Sequence, residues 1–208
     1  CAAMQIGTAG FTAALAIHRM EQNGQEPSAG PIVVTGATGG VGSLAIDMLD
    51  ARGYEVVAVT GKRDVSDYLQ EIGAREVIIR DSIDTGSRPL EKGRWAGAID
   101  NLGGDMLAWL LRSAGYGANV ACIGNAADIA LNTTVLPFIL RAVCLLGISS
   151  VNTPRDTRLA VWQRIDNDLR PRHLERIAGN FVPFERLPKQ FAAYMNGEVT
   201  GRTVVEIA

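Results

Sequence analysis

Gly36, Gly39, Gly40 and Gly42 fall together in Thr35-Gly36-Ala37-Thr38-Gly39-Gly40-Val41-Gly42-Ser43, and glycines at this spacing do their chemistry through the backbone. One permits a turn of unusual φ, one lets the chain approach a pyrophosphate, and one brings a helix close to a strand. The context suits all three. Ile32-Val33-Val34 is an apolar β-branched run of the kind that forms a strand buried on both faces. After the glycines, Val41, Leu44, Ala45, Met48 and Leu49 recur at helical spacing and predict a helix ending near Gly53. The loop therefore lies between a strand and a helix N-terminus, where unpaired N–H groups face an anion. The same glycines would also serve a tight strand-to-helix turn in an α/β protein that binds no nucleotide; the flanking strand and helix are the context that a dinucleotide site requires.

The end of the second predicted strand, 55–60, selects between cofactors. An NAD site usually places an acid there to hold the ribose 2′-hydroxyl, whereas this chain has Thr60, Gly61, Lys62 and Arg63. A 2′-phosphate would find the Thr60 hydroxyl and the charges of Lys62 and Arg63, with Arg80 from the next strand end able to pair with it or stack on the adenine. That reading predicts NADP. The alternative is a solvated surface turn in which Lys62 and Arg63 are balanced by Asp64 and Asp67. Other catalytic patterns are missing: no Tyr is followed four residues later by Lys, Gly61-Lys62 lacks the Ser/Thr and spacing of a P-loop, and the acid that a methyltransferase would be expected to keep at this strand end is absent. With His18 and His173 as the only histidines there is no zinc cluster to predict, and no acid, base or nucleophile can be named as catalytic.

The elements needed to position these residues follow from the pattern. A helix is expected over 7–20, strands over 32–34, 55–60, 76–79, 95–100, 118–123 and 142–148, and helices over 41–49, around Tyr68 and Leu69, over 105–113 and over 156–169. Strands alternating with helices mean right-handed βαβ units and an α/β fold, a doubly wound six-stranded parallel sheet of Rossmann order 3-2-1-4-5-6. The 208 residues are 47% hydrophobic and 20% charged, ordinary for a globular chain with a sizeable core. A net charge of −2 offers no basic field to nucleic acid, and no apolar run approaches a membrane span. Cys1, Cys122 and Cys144 are odd in number and widely spaced, which reads as reduced core thiols of a cytoplasmic protein. The start at Cys1-Ala-Ala, without Met or a charged n-region, reads as an excised piece rather than a signal peptide. The run 142–148 is apolar yet falls at an edge of the sheet; either the loop 125–136 covers it, or two copies pair there as a homodimer.

Five blocks carry a more specific likeness: Gly7-Thr8-Ala9-Gly10-Phe11-Thr12-Ala13, the glycine loop Val34 to Ser43, Trp95-Ala96-Gly97-Ala98-Ile99-Asp100, Pro137-Phe138-Ile139-Leu140-Arg141 and Gly201-Arg202-Thr203-Val204-Val205. In this order they resemble the zinc-independent quinone oxidoreductase branch of the medium-chain dehydrogenase/reductases, nearest to the acryloyl-CoA reductase-like subgroup. The resemblance spans the whole chain. It implies NADPH as hydride donor to a small conjugated acceptor, with Thr38, Gly39, Gly40 and Val41 at the pyrophosphate, Thr60, Gly61 and Lys62 at the 2′-phosphate and Arg80 at the adenosine. It also implies that Asn125, Ile139, Ser150 and Asn196 approach the cofactor or its nicotinamide half. From the residues alone, Asn196 could be the turn residue of Asn196-Gly197 and Ser150 a cap of the next segment. Lys62 stands where the subgroup more often has Arg, Asn125 where an apolar residue is expected, and Ser149 where Asp is usual. Members of the family begin with a GroES-like domain that supplies half the cleft and a candidate proton-donating Tyr. Residues 1–178 are then the cofactor domain and 179–208 a segment that packs on that other domain. A redox-sensing protein that keeps the dinucleotide site without turnover is the alternative to a reductase.

Overall fold

The computed structural model describes residues 2–207; the reading of Cys1 lies outside them. Helix α1 (Ala2–Gln22) leads into β1 (Ile32–Thr35), α2 (Gly40–Ala51), β2 (Val56–Thr60), α3 (Ser66–Glu71), β3 (Glu76–Ile79), β4 (Trp95–Asp100), α4 (Gly104–Ser113), β5 (Ala114–Cys122), α5 (Leu136–Arg141), β6 (Cys144–Gly147) and α6 (Arg155–Asp166). The six strands form one parallel sheet in the order β3-β2-β1-β4-β5-β6, a Rossmann-like α/β arrangement as expected. Side-chain alternation fills both faces. Ile32, Val34, Val56 and Ala58 point to a core shared with α1, α2, α3 and α6, while Val33, Val57 and Val59 point to a second core built on α4.

Several boundaries differ from the expectation for local reasons. Gly7, at φ +48 and ψ −155, kinks α1 rather than starting it. Strand β5 begins at Ala114, four residues early, because the ladder slips between Trp95 and Gly97 and leaves Tyr116 exposed. The unpredicted α5 starts with Pro137 in its first turn, a place proline favours, and ends on Ala142 at φ +50, which delays β6 to Cys144. Helix α6 stops at Asp166, three residues before Leu169. Cys122 and Cys144 are free but only half-buried, not core residues.

The remainder is more ordered than the sequence suggested. Helix α7 (Leu174–Ile177) precedes β7 (Asn180–Pro183), α8 (Leu187–Met195) and β8 (Thr203–Glu206), and β7 pairs parallel with β8. His173 holds this region to α2: its backbone N–H donates to Asp47 Oδ2 at 3.0 Å and its Nδ1 lies 3.0 Å from Asp47 Oδ1, on a carboxylate with no exposure. Helix α8 by contrast buries none of its residues, and Phe184, Phe191 and Met195 are exposed. The described residues contain no helix long and apolar enough to cross a membrane.

Candidate functional site

The glycine loop leaves β1 through Gly36 at φ +58, and the turn closes with the Gly39 N–H donating to Gly36 O at 2.9 Å. A Cβ at Gly42 would lie 2.9 Å from Ala37 Cα and nearer still to Gly36 O, so α2 and the loop pack at a distance only glycine permits. Ser43 donates to Ala37 O at 3.1 Å, and the Tyr68 hydroxyl braces Ser43 Oγ from α3 at 3.0 Å. Helix α2 then starts at Gly40. The N–H groups of Gly40, Val41 and Gly42 have no acceptor within the helix, and the positive end of its dipole points the same way. That is the chemistry of a phosphate cradle.

A cleft of about 330 Å³ opens over this loop, lined by Gly36, Thr38, Val41, Asn101, Leu102 and Val199 among others. Its far wall is fixed by a buried network at the ends of β1 and β4, where the sheet order changes direction. Thr35 donates to Asp100 Oδ1 at 2.6 Å; Gly103 N–H donates to Asp100 Oδ2 at 2.8 Å; Asn101 donates through its backbone to Thr35 Oγ1 at 3.0 Å and through Nδ2 to Thr35 O at 2.7 Å. Burial pushes the Asp100 carboxyl above the usual carboxylate range, against the pull of these donors. Thr35 and Asp100 stand in two of the five sequence blocks without an assigned role, and Asn101 lies just outside them. A polar residue closing each of two apolar strands was the available signal.

At the end of β2 the Lys62 N–H donates to Thr60 Oγ1 at 3.1 Å. The Lys62 ammonium donates to Val199 O at 2.8 Å and Thr200 Oγ1 at 3.0 Å, so it is held by the C-terminal strap 197–202 rather than by Asp64 or Asp67. Desolvation lowers its pKa. Arg80 lies against Gly61, where a Cβ would be 3.3 Å from Nη2, and pairs with Asp81 at 3.3 Å. Arg63 is exposed. The strap is bolted to the glycine loop as well: Gly201 N–H donates to Thr38 O at 2.8 Å, and Arg202 N–H donates to Ile177 O at 2.8 Å. Val199, Thr200 and Arg202 were missed as parts of this region because no local pattern links position 200 to position 38.

The other expected residues are more scattered. Asn125 is exposed beside the Gly103 turn, and its neighbour Ala126 lines the cleft. Asn196 caps the C-terminus of α8 and donates to Glu198 Oε1 at 3.2 Å, next to Gly197 of the cleft. Ser150 borders a separate cavity of about 260 Å³ with Thr8, Phe11 and Arg158, its carbonyl accepting from Arg158 Nη2 at 2.7 Å; it caps no helix. Ile139 is exposed on α5 and lines neither cavity.

This arrangement matches a known family. The family model described as zinc-binding dehydrogenase matches residues 40–167, more than half of the chain and the part from the glycine loop to the end of α6. The chain belongs to the zinc-binding dehydrogenase family. Acrylyl-CoA reductase AcuI of Ruegeria pomeroyi is 48% identical over 206 residues, which are 99% of this chain and 62% of AcuI. The crystal structure of Escherichia coli K-12 YhdH with bound NADPH superposes with a TM-score of 0.94 at 46% identity, over 99% of this chain and 63% of YhdH. Bacillus subtilis YhfP with NAD bound gives a TM-score of 0.95 at 48% identity, again over 99% and 63%. The chain thus spans less than two thirds of each of these relatives. Despite the family's descriptive name, the described residues hold no cluster of three or more His, Cys, Asp or Glu side chains placed to bind a metal ion.

Proposed function

We propose that this chain is the cofactor-binding part of an NADPH-dependent oxidoreductase that transfers hydride to a conjugated carbonyl acceptor, a quinone or an enoyl thioester of the acryloyl-CoA type. The observation that carries the reading is the pairing of a glycine cradle at the start of α2 with a cationic end of β2, where Thr60-Gly61 is followed by Lys62 and Arg63 and Arg80 lies against Gly61. Bound NADPH supplies the hydride. This chain's own residues bind and orient it: the Gly40 and Val41 amides take the pyrophosphate, Lys62 and Thr60 take the 2′-phosphate, Arg80 flanks the adenosine, and the Thr35–Asp100–Asn101 network fixes the wall on which the nicotinamide half rests. Asn125, Ile139, Ser150 and Asn196 approach the cofactor or its nicotinamide half in this proposal, and a second domain packs on residues 179–208, the exposed face of α8 included. The reaction is zinc-independent and the protein cytoplasmic.

Titration of the 208-residue chain with NADPH and NADH tests the reading. NADPH should bind more tightly by roughly 10- to 150-fold, the worth of a charged hydrogen-bonded contact. Equal affinities would remove the NADP assignment, and YhfP with NAD bound shows that the comparison is a real one. A redox sensor that keeps the dinucleotide site without turnover is the second reading.

We further propose a homodimer through β6. Leu145 and Leu146 at this edge are only half-buried, and Ile139 and Leu140 of the preceding helix are exposed. Of the loop 125–136, the alternative cover for this edge, residues 126–128 lie instead at the end of β4, where Asp128 pairs with Gly103 and Ala126 and Ala127 donate to Asn101 O and Leu102 O.

A further inference from the structure

The crossover from β3 to β4 contains no helix beyond the single turn Arg80–Ser82, and its later part is fastened to the C-terminal end of α4. Arg112 Nη2 donates to Thr85 O at 2.8 Å, Glu91 N–H donates to Arg112 O at 3.0 Å, Arg94 N–H donates to Ser113 O at 2.9 Å, and Arg141 of α5 donates to Glu91 O. Between the crossover and Trp109 and Ser113 of α4 lies a cavity of about 730 Å³. That volume suits a small molecule. The cavity shares no residue with the cleft over the glycine loop, and the dinucleotide reading makes no use of it.

The charges around this cavity are sorted. Its two acids are turned to the crossover's own backbone: Asp84 accepts from Gly86 N–H at 2.9 Å, and Glu91 folds against Gly86, where a Cβ would lie 3.1 Å from its Cδ. Its three cations, Arg88, Lys92 and Arg94, have no carboxylate partner among the described residues, whereas Arg52, Arg75, Arg80, Arg164, Arg172 and Arg176 all do. The Arg94 guanidinium is carried by the Trp95 ring, 4.5 Å from its centroid. Behind them Arg112 has only the Thr85 carbonyl, its Nε being inaccessible and unpaired. In a chain of net charge −2 this is a local concentration of positive charge. Trp109 is 4% exposed and offers no face for stacking, so the cavity recognises charge rather than a ring.

We propose that this cavity holds the 3′-phosphorylated ADP end of coenzyme A, and hence that the acceptor is a coenzyme A thioester rather than a quinone. The inference rests on the hydride-transfer reading above and decides between its two acceptor classes. A quinone carries no phosphate and leaves these cations without a partner. The ADP end of coenzyme A carries a diphosphate and a 3′-phosphate, which Arg88, Lys92 and Arg94 meet with charge-assisted hydrogen bonds. Its pantetheine arm separates the phosphates from the thioester, so one ligand can be gripped here and react elsewhere.

The test titrates coenzyme A into the 208-residue chain saturated with NADPH, so that the glycine loop is filled and cannot take the second nucleotide. Coenzyme A should bind, 3′-dephospho-coenzyme A should bind roughly tenfold more weakly, and pantetheine should not bind measurably. Arg88 and Lys92 are exposed, and changing both to Met should weaken coenzyme A by roughly tenfold to a hundredfold while NADPH affinity and melting temperature stay unchanged. Arg88→Lys should keep part of the affinity. Arg75→Met, which removes an exposed cation away from the cavity, should alter neither ligand. Coenzyme A that fails to bind the NADPH-loaded chain overturns the proposal, as does coenzyme A whose affinity the double variant leaves unchanged. Displacement by inorganic phosphate at equal concentration also overturns it, because that marks an unselective anion site. A chain that does not take NADPH fails the hydride-transfer reading itself, a result distinct from these.

Discussion

Replacing Gly42 with Ala puts the packing of the glycine loop to a quantitative test. The new Cβ would sit 2.9 Å from Ala37 Cα and 3.0 Å from Ala37 C, all of it backbone that no rotamer change can move aside. Ordinary contact begins at 3.4 Å, so the loop or the first turn of α2 must retreat by about 0.5 Å or more. Overpacking of this kind costs about 1–3 kcal/mol. For a chain of this length that is a fall in melting temperature of roughly 3–10 °C. The same retreat pulls the Gly40 and Val41 amides off the phosphate position, and NADPH should bind on the order of tenfold more weakly as charge-assisted hydrogen bonds lengthen. Gly53→Ala is the matched control. Gly53 is at φ +81 with nothing within 4 Å of its missing Cβ, so the change costs about 1–2 kcal/mol of backbone strain far from the cleft and should not touch affinity. Thermal unfolding by circular dichroism, with nucleotide titration followed by fluorescence, reads both effects. A Gly42→Ala chain that melts and binds like the unmodified one would show that the loop and α2 are not packed as described.

Thr200→Val removes the hydroxyl that accepts from Lys62 and should reduce the preference for NADPH over NADH severalfold without changing NADH affinity, measured by the same titration. The acid limb of stability should carry two opposite signs. The Arg164 hydrogen bond holds Asp168 below the usual carboxylate range, so its contribution is present above the unfolded pKa near 3.8 and is lost as pH falls through the lower folded value; Asp168→Asn should flatten that loss in melts below pH 5. Burial raises the Asp100 carboxyl, so its contribution is full below about 3.8 and declines as pH rises through the higher folded value. An Asp100→Asn chain that kept the unmodified pH profile would count against that assignment. For association, Leu145→Lys should shift a sedimenting dimer to monomer at micromolar concentration; a chain that is monomeric before the change removes the edge-pairing proposal.

Periodicity and glycine spacing made the sheet legible, because β1, β2 and β4 are buried on both faces and must be nearly continuous apolar runs. The glycine loop was legible for the same reason that it works: its requirements are local, a turn at Gly36 and a close approach at Gly42, and only glycine meets them. What escaped was set by contacts distant in sequence. The early start of β5 depends on a slipped ladder against Trp95, and α5 depends on a proline that reads as a breaker until it is placed in a first turn. The segment 179–208 was assigned to packing on another domain by the resemblance alone, because no local pattern shows that β7 and β8 pair or that Val182 and Val204 are buried while Phe184, Phe191 and Met195 are exposed.

The strap shows why a motif search stops short of the whole site. Lys62 was read as a 2′-phosphate cation from its place at the end of β2, and in the fold two of its three donors are engaged by Val199 and Thr200. A lysine so held is fixed in position by the C-terminal segment, and its remaining N–H is aimed rather than free to sample the solvent. The same segment bonds to Thr38 in the glycine loop, so loosening the strap should disturb both proposed phosphate sites together. On the proposed reading, cofactor preference depends jointly on the β2 end and on residues about 140 positions later, and swapping Lys62 and Arg63 alone for an acid should abolish NADPH binding without creating a good NADH site. A tight NADH site in such a double variant, measured by titration, would show that the strap has no part in the choice.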